Sequence, residues 1–208
     1  MILMGSALAA WIGVAAHDRR VGVRALVLAL VFTACAAAVE YGLAERARLD
    51  AACVAALGAL AVLGAVDALT ELVYDGSVIA TYVVVLGTRI ATQGAHALLV
   101  DVVAGLGFAA VFYAAGCVDS LARRPAATGT VTESRIGFGD ILVLPVIPLA
   151  FGAMASLYVV LLAMVPAVLA RAIRRRQVPL LPFVFVGALV YAGSIGFLND
   201  SALGGILR

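Results

Sequence analysis

The stretch AACVAALGALAVLGAVDALTELVYDGS, residues 51–77, decides both the fold class and the location of the chemistry. Residues 51–66 contain only apolar side chains and glycine, and acids follow at Asp67, Glu71 and Asp75. A helix of about 20 apolar residues crosses a hydrocarbon core of roughly 30 Å. Acids at the end of such a helix are costly to bury and are candidates for a functional site. The stretch therefore predicts a membrane helix with a candidate site at its end.

The whole chain has the same apolar character. Of its 208 residues, 65% are hydrophobic and 12% are charged, and the mean hydropathy is +1.15. A soluble domain is roughly half apolar and about a quarter charged. The composition therefore excludes a soluble enzyme or a nucleic-acid-binding module. The net charge of +2 is too small to indicate a polyanionic partner, so we expect contact with membrane lipid and not with nucleic acid.

We predict an all-α fold, a polytopic membrane helix bundle of about eight spans, with six as the minimum. It forms a single membrane-embedded domain, residues 1–208, whose long polar loop lies near 118–138. The fourth run is short enough to be re-entrant or merged with a neighbour, and Pro145 and Pro148 predict a broken or partial helix in the sixth. The spans are expected near 1–16, 22–42, 51–70, 77–92, 95–117, 139–153, 155–173 and 179–198.

The arginines predict the orientation of these spans. Ten of the 14 arginines fall in the first, third, fifth and seventh connections. Loops rich in arginine remain on the cytoplasmic side of a membrane. We therefore expect a multi-pass protein of the cell membrane with both termini outside, and with Asp67, Asp75 and Asp140 at the cytoplasmic face.

The acids around Asp67 follow a helical spacing. Asp67, Glu71 and Asp75 are four residues apart, so they would share one face if the helix continued past residue 70. Ordinary roles remain open for each of them. Asp67 could pair with an arginine from another loop, and Asp75 begins an Asp-Gly turn dipeptide.

Asp140 is the second acid at the edge of an apolar run, directly after a Gly-Phe-Gly sequence. It could simply cap a helix N-terminus. Two carboxyl groups brought close together, however, cannot both ionise easily, so one keeps a proton while the other acts as a base. Such a pair can activate water for attack on a peptide bond and protonate the leaving amine.

Other hydrolytic sites are not indicated. His17 and His96 have no HExxH spacing, no CxxC pair occurs, and no serine stands in a GxSxG context. We therefore predict a site that uses two acids and water, with no metal and no cofactor.

These segments resemble, in the same order, those of the type IV prepilin leader peptidase and preflagellin peptidase family, which are GxGD membrane aspartyl proteases. Gly137-Phe138-Gly139-Asp140 matches the GxGD motif. VDALTELVYDGSVIATYVVVLG, residues 66–87, is similar to the first-aspartate segment, and QVPLLPFVFVGALVYAG, residues 177–193, to the closing helix. The resemblance extends over residues 50–198.

The resemblance implies an aspartic-type endopeptidase of the type IV pilus kind. It would remove the basic leader (signal) peptide from prepilin-like precursors at the cytoplasmic face of the membrane. Asp67 and Asp140 would form the catalytic pair, while Gly137 and Gly139 would allow close backbone approach. Supporting or substrate-binding roles would fall to four further residues, namely Thr70, Glu71, Asp75 and Glu133.

The chain departs from the family pattern at three places. Leu142 stands where the family usually has lysine, and Tyr74 where it usually has proline. The first two spans are joined only by HDRRVG, residues 17–22, and not by the cysteine-bearing insert of the larger members. N-methyltransferase activity is therefore not implied.

Two other functions compete with the protease. Asp101 lies within the fifth predicted span, as acids in proton or cation pathways often do, so a small membrane transporter or channel is one alternative. A catalytically inactive assembly factor is the other, because Leu142 replaces the usual lysine.

Overall fold

The structure is a computed structural model that describes residues 1–17, 23–43, 49–94, 98–122, 138–174 and 178–200. Within these ranges the chain forms nine helices and no strand. The helices are α1 (Ile2–His17), α2 (Val23–Leu43), α3 (Ala51–Thr70), α4 (Asp75–Gln93), α5 (Leu98–Ala122), α6 (Phe138–Val143), α7 (Val146–Phe151), α8 (Ala153–Arg174) and α9 (Leu181–Asp200).

The all-helical architecture predicted from the apolar runs is confirmed for the described residues. Four of these helices, α2, α3, α5 and α8, are long and apolar enough to cross a membrane. The fourth run forms one separate helix, α4, and is not merged with a neighbour. Three further apolar helical segments are shorter, namely Ile2–Ala15, Gly139–Phe151 and Leu181–Ser194.

Helix α3 lies at the centre of the bundle. Every residue from Ala52 to Asp67 is buried, and α3 contacts α1, α2, α4, α7 and α9. Alanine is the most frequent residue in its sequence, and such small side chains let neighbouring backbones come close. The central position of α3 therefore follows from its composition.

The sixth apolar run is broken, as its prolines predict. Helix α6 ends at Val143, a turn follows at residues 144–145, and α7 continues from Val146. Pro145 has no N–H to donate, so the helical hydrogen bonding stops there. The result is a helix of six residues that carries Asp140.

The outer helices expose apolar side chains. In the most apolar 18-residue stretch of α5 only 11% of the residues are buried, and in the corresponding stretches of α2 and α8 the share is 22%. An apolar surface this large is rare on monomeric soluble proteins. The outer faces of α2, α5 and α8 are therefore suited to an apolar surrounding.

Two groups of polar side chains lie at opposite ends of α3. The Asp67 end contains Asp67, Asp140 and the start of α9. The Arg89 end contains Arg89, Asp50 and Asp101. Because Asp50 caps α3 while Asp67 lies in its last turn, a rise of about 1.5 Å per residue separates the two ends by roughly 25 Å.

Candidate active site

Asp67 is held between the end of α3 and the start of α9. Its side chain is buried, with 3% of the residue exposed. Its Oδ2 accepts a hydrogen bond of 3.1 Å from the backbone N–H of Leu181, the first residue of α9. A helix N-terminus has unpaired N–H groups and favours negative charge. This position therefore gives Asp67 a partner that suits a carboxylate.

Gly64 allows this approach. It lies one turn before Asp67, and a Cβ atom built there would be 3.3 Å from both the carbonyl oxygen of Leu181 and Cα of Pro182. This is tighter than ordinary van der Waals contact. The absence of a side chain at Gly64 thus lets the start of α9 lie against the last turns of α3.

Helix α3 ends at Thr70, three residues after Asp67. Glu71 takes the left-handed conformation (φ 55°, ψ 25°), and its N–H donates to the Asp67 carbonyl at 2.9 Å. Thr70 Oγ1 donates to the Val66 carbonyl at 2.8 Å and accepts from the N–H of Leu72 at 3.3 Å. Glu71 is thus an unusual residue at this position, because few residues other than glycine adopt the left-handed conformation.

The three acids therefore do not share one helical face. The helix would have to continue through residue 75, but the chain reverses at Glu71 and a new helix begins at Asp75. Glu71 and Asp75 are both exposed, at the same end of the bundle as buried Asp67. Thr70 contributes to the turn through its hydroxyl group.

Asp140 is the third residue of α6 and so lies inside the first turn. It is not the N-cap of a helix that begins after it, because α6 already begins at Phe138. Its Oδ1 is buried, although the residue as a whole is half-buried, and it lies within electrostatic range of Asp67. The two acids thus lie in one region, although they are far apart in the sequence.

Gly139 explains how α6 reaches this region. A Cβ atom at Gly139 would be 2.5 Å from Cβ of Val73, so no side chain fits between them. Val73 belongs to the short connection between α3 and α4. The backbone of α6 therefore contacts the segment that follows Asp67. Gly137 and Glu133 lie outside the described residues.

Two contacts at this site were not predicted from the sequence. The Tyr82 hydroxyl group on α4 donates to the Leu142 carbonyl on α6 at 2.8 Å, and Leu181 donates to Asp67. Leu181 belongs to the segment that resembles the closing helix, and Gly64 lies one turn before Asp67. These positions were the available signals for the contact between α9 and the end of α3. Nothing in the sequence distinguishes Tyr82 from the other tyrosines.

Asp101, the basis of the transporter alternative, lies in an ion-pair network at the Arg89 end. Arg89 contacts Asp101 at 2.9 Å and Asp50 at 2.7 Å. Asp101 also accepts from the N–H of Ala153, the first residue of α8, at 3.1 Å, and Gln93 donates to Asp50 at 2.6 Å. The network joins α3, α4, α5 and α8 far from Asp67.

The site thus contains two acids in one region, one of which, Asp67, lies against a helix N-terminus. Among the residues that the structure describes, no group of three or more histidine, cysteine or acidic side chains could bind a metal ion. No family model, no curated protein and no solved structure matches this chain.

Proposed function

We propose that this protein is a membrane aspartyl endopeptidase that removes the leader peptide from prepilin-like precursors at the cytoplasmic face of the cell membrane. The observation that supports this best is the contact between α6 and the segment after Asp67. Through Gly139 and Val73 it brings Asp140 close enough to Asp67 for their charges to interact. Asp67 is buried and Asp140 is half-buried, whereas Asp50 and Asp101 both pair with Arg89.

The reaction follows from two acids that share one proton. The ionised carboxyl takes a proton from water, and the resulting hydroxide attacks the carbonyl carbon of the scissile peptide bond. The protonated carboxyl first hydrogen-bonds the carbonyl oxygen, and the leaving amine then takes a proton as the bond breaks. At low pH both acids are protonated and the base is lost, whereas at high pH both are ionised and the acid is lost. The pH profile of cleavage should be bell-shaped.

The surroundings of the pair suit a precursor with a basic leader and an apolar helix. Glu71 and Asp75 are exposed at the Asp67 end, so they can attract a positively charged leader. The apolar outer faces of the helices suit a precursor helix that remains in the membrane during cleavage. The pair would then lie where the polar and apolar parts of the substrate meet.

The test is cleavage of a co-expressed prepilin precursor, followed by immunoblot. We expect Asp67→Asn and Asp140→Asn each to abolish cleavage, because each variant removes the acid or the base. Glu40→Gln on α2, the same change of acid to amide away from the site, should cleave like the wild type. All variants should accumulate in the membrane to equal levels. Normal cleavage by both aspartate variants would contradict the proposal.

The two alternatives make different predictions. A transporter that used Asp101 would need that carboxyl free to bind a cation, but Asp101 is paired with Arg89 and with the start of α8. An inactive assembly factor would leave the precursor uncut when purified protein and precursor are incubated together. Cleavage by the purified wild-type protein, and its loss in Asp67→Asn, would exclude both alternatives as the main function.

A further inference from the structure

We infer that Tyr82 is a positioning residue for Asp140, because its hydroxyl group holds the short helix that carries this acid. The inference rests on the proposed protease function, although the contact itself is structural. Tyr82 lies on α4 and is partly buried, and its Oη donates to the Leu142 carbonyl oxygen at 2.8 Å. Leu142 is two residues after Asp140 in the same helix.

Helix α6 needs support from outside. It has six residues, whereas helices shorter than about 12 residues are marginal on their own. The last four carbonyl groups of any helix have no partner within it, and Pro145 cannot supply an N–H. Leu142 is in this last turn, where the helix has too few N–H groups for its carbonyl oxygens. The hydroxyl group of Tyr82 therefore supplies a donor to the Leu142 carbonyl oxygen.

The contacts on either side of Asp140 come from one stretch of chain. Gly139, directly before Asp140, lies against Val73. Leu142, shortly after it, accepts from Tyr82. Val73 and Tyr82 both belong to the segment that leaves Asp67 and continues into α4. The segment that follows the first acid therefore fixes the helix of the second acid at two points.

Asp67 does not depend on such support. It lies on a helix of 20 residues that is buried nearly throughout, and the Leu181 N–H holds its carboxyl. The separation of the two carboxyl groups is thus set mainly by where α6 lies. A change in α6 should alter how the pair shares its proton, with little effect on how a precursor binds.

Tyr82→Phe tests this inference, because it removes the hydroxyl group and keeps the ring. The matched control is Tyr191→Phe, since Tyr191 is a half-buried tyrosine whose ring packs edge-on against Phe151 at 5.9 Å. We expect Tyr82→Phe to lower kcat about tenfold while KM for the precursor stays within about twofold. Its pH profile should also shift, since the pair shares the proton differently. Tyr191→Phe should match the wild type in kcat, KM and pH profile.

Amide hydrogen exchange of residues 138–143 is the second measurement, and it does not depend on activity. We expect exchange in α6 to be at least about tenfold faster in Tyr82→Phe than in the wild type, with exchange in α3 unchanged. Unchanged exchange in α6, or an unchanged kcat, would overturn the inference. An equal loss of protection in all helices would overturn it too, because it would assign Tyr82 to overall stability. A wild-type protein that cuts no precursor would contradict the proposed function instead, and the exchange of α6 would still test the contact.

Discussion

At the scale of single residues, the two acids depend on neighbours without side chains. Gly64 lets the start of α9 reach Asp67, and Gly139 lets α6 lie against Val73. Each glycine stands near the acid that it serves, Gly64 one turn before Asp67 and Gly139 directly before Asp140. The positions of the carboxyl groups are therefore set by close backbone contacts, and small steric changes should alter catalysis.

Gly139→Ala should lower precursor cleavage at least about tenfold, because the added Cβ would lie 2.5 Å from Cβ of Val73. Forcing extra atoms into a packed contact costs about 1–3 kcal/mol, and α6 is too short to absorb the strain elsewhere. The measurement is the initial rate of cleavage by purified protein.

Two variants make this prediction specific. Val73→Gly in the Gly139→Ala background removes the opposing atom and should restore part of the rate. Gly107→Ala on α5 should have no effect, because a Cβ atom there meets no atom within 4 Å. The steric explanation would be wrong if Gly139→Ala cleaved at the wild-type rate, or if Val73→Gly gave no recovery.

Residues of the site differ in how well a sequence predicts them. The sequence singles out Asp67 and Asp140, because an acid beside an apolar run is costly, and their catalytic role stays a prediction. Tyr82 could not be predicted, since a tyrosine in an apolar helix is unremarkable until the helix that it contacts is known. The left-handed Glu71 could not be predicted either, because glycine or asparagine usually marks such a turn.

At the scale of helices, α4 contacts both polar groups of the bundle. It begins at Asp75, shortly after the Glu71 turn, and near its middle Tyr82 contacts α6. Near its C-terminal end Arg89 pairs with Asp50 and Asp101. Helix α4 thus connects the acid pair to the ion-pair network at the opposite end of the bundle.

Arg89→Gln should lower the free energy of unfolding by about 3 kcal/mol, because it leaves Asp101 buried without its charged partner. Only 11% of the Arg89 side chain and 8% of the Asp101 side chain are exposed. The measurement is unfolding by denaturing detergent in mixed micelles. Arg24→Gln, at the exposed start of α2, is the matched control and should unfold like the wild type.

The folded fraction of Arg89→Gln should cleave precursor at close to the wild-type rate, because the network lies far from Asp67. Wild-type stability in this variant would show that the ion pairs contribute little. Loss of cleavage in fully folded protein would instead show that the network acts on the acid pair.

Helix positions were predictable where composition alone determines them. The apolar runs predicted the bounds of α3, residues 51–70, and Pro145 predicted the break in the sixth run. The separation of α3 from α4 was predicted by the spans at 51–70 and 77–92, but the left-handed turn at Glu71 was not. The pairing of Arg89 with Asp101 was also missed, since it depends on which helices are neighbours.

At the scale of the whole molecule, the bundle has two polar ends and an apolar outer surface between them. The arginine distribution predicts that the Asp67 end faces the cytoplasm. Leu72 and Thr92 are exposed near opposite ends of the described bundle. They are therefore suitable positions for testing the orientation.

Single cysteines at Leu72 and Thr92 should react differently with a membrane-impermeant thiol reagent added to intact cells. The native Cys35, Cys53 and Cys117 are first replaced by alanine. We expect Thr92→Cys to be labelled and Leu72→Cys to be labelled only after the membrane is permeabilised. The reverse pattern would contradict the orientation and, with it, cleavage at the cytoplasmic face.

The hydrogen bond from Leu181 to Asp67 also has a consequence for biosynthesis. The two residues are 114 positions apart, and a ribosome adds about 5–20 residues per second. The nascent chain therefore carries Asp67 for roughly 6–23 s before its donor has been translated. A chain terminated before α9 would never acquire this donor, so the Asp67 carboxyl would lack its hydrogen bond from Leu181.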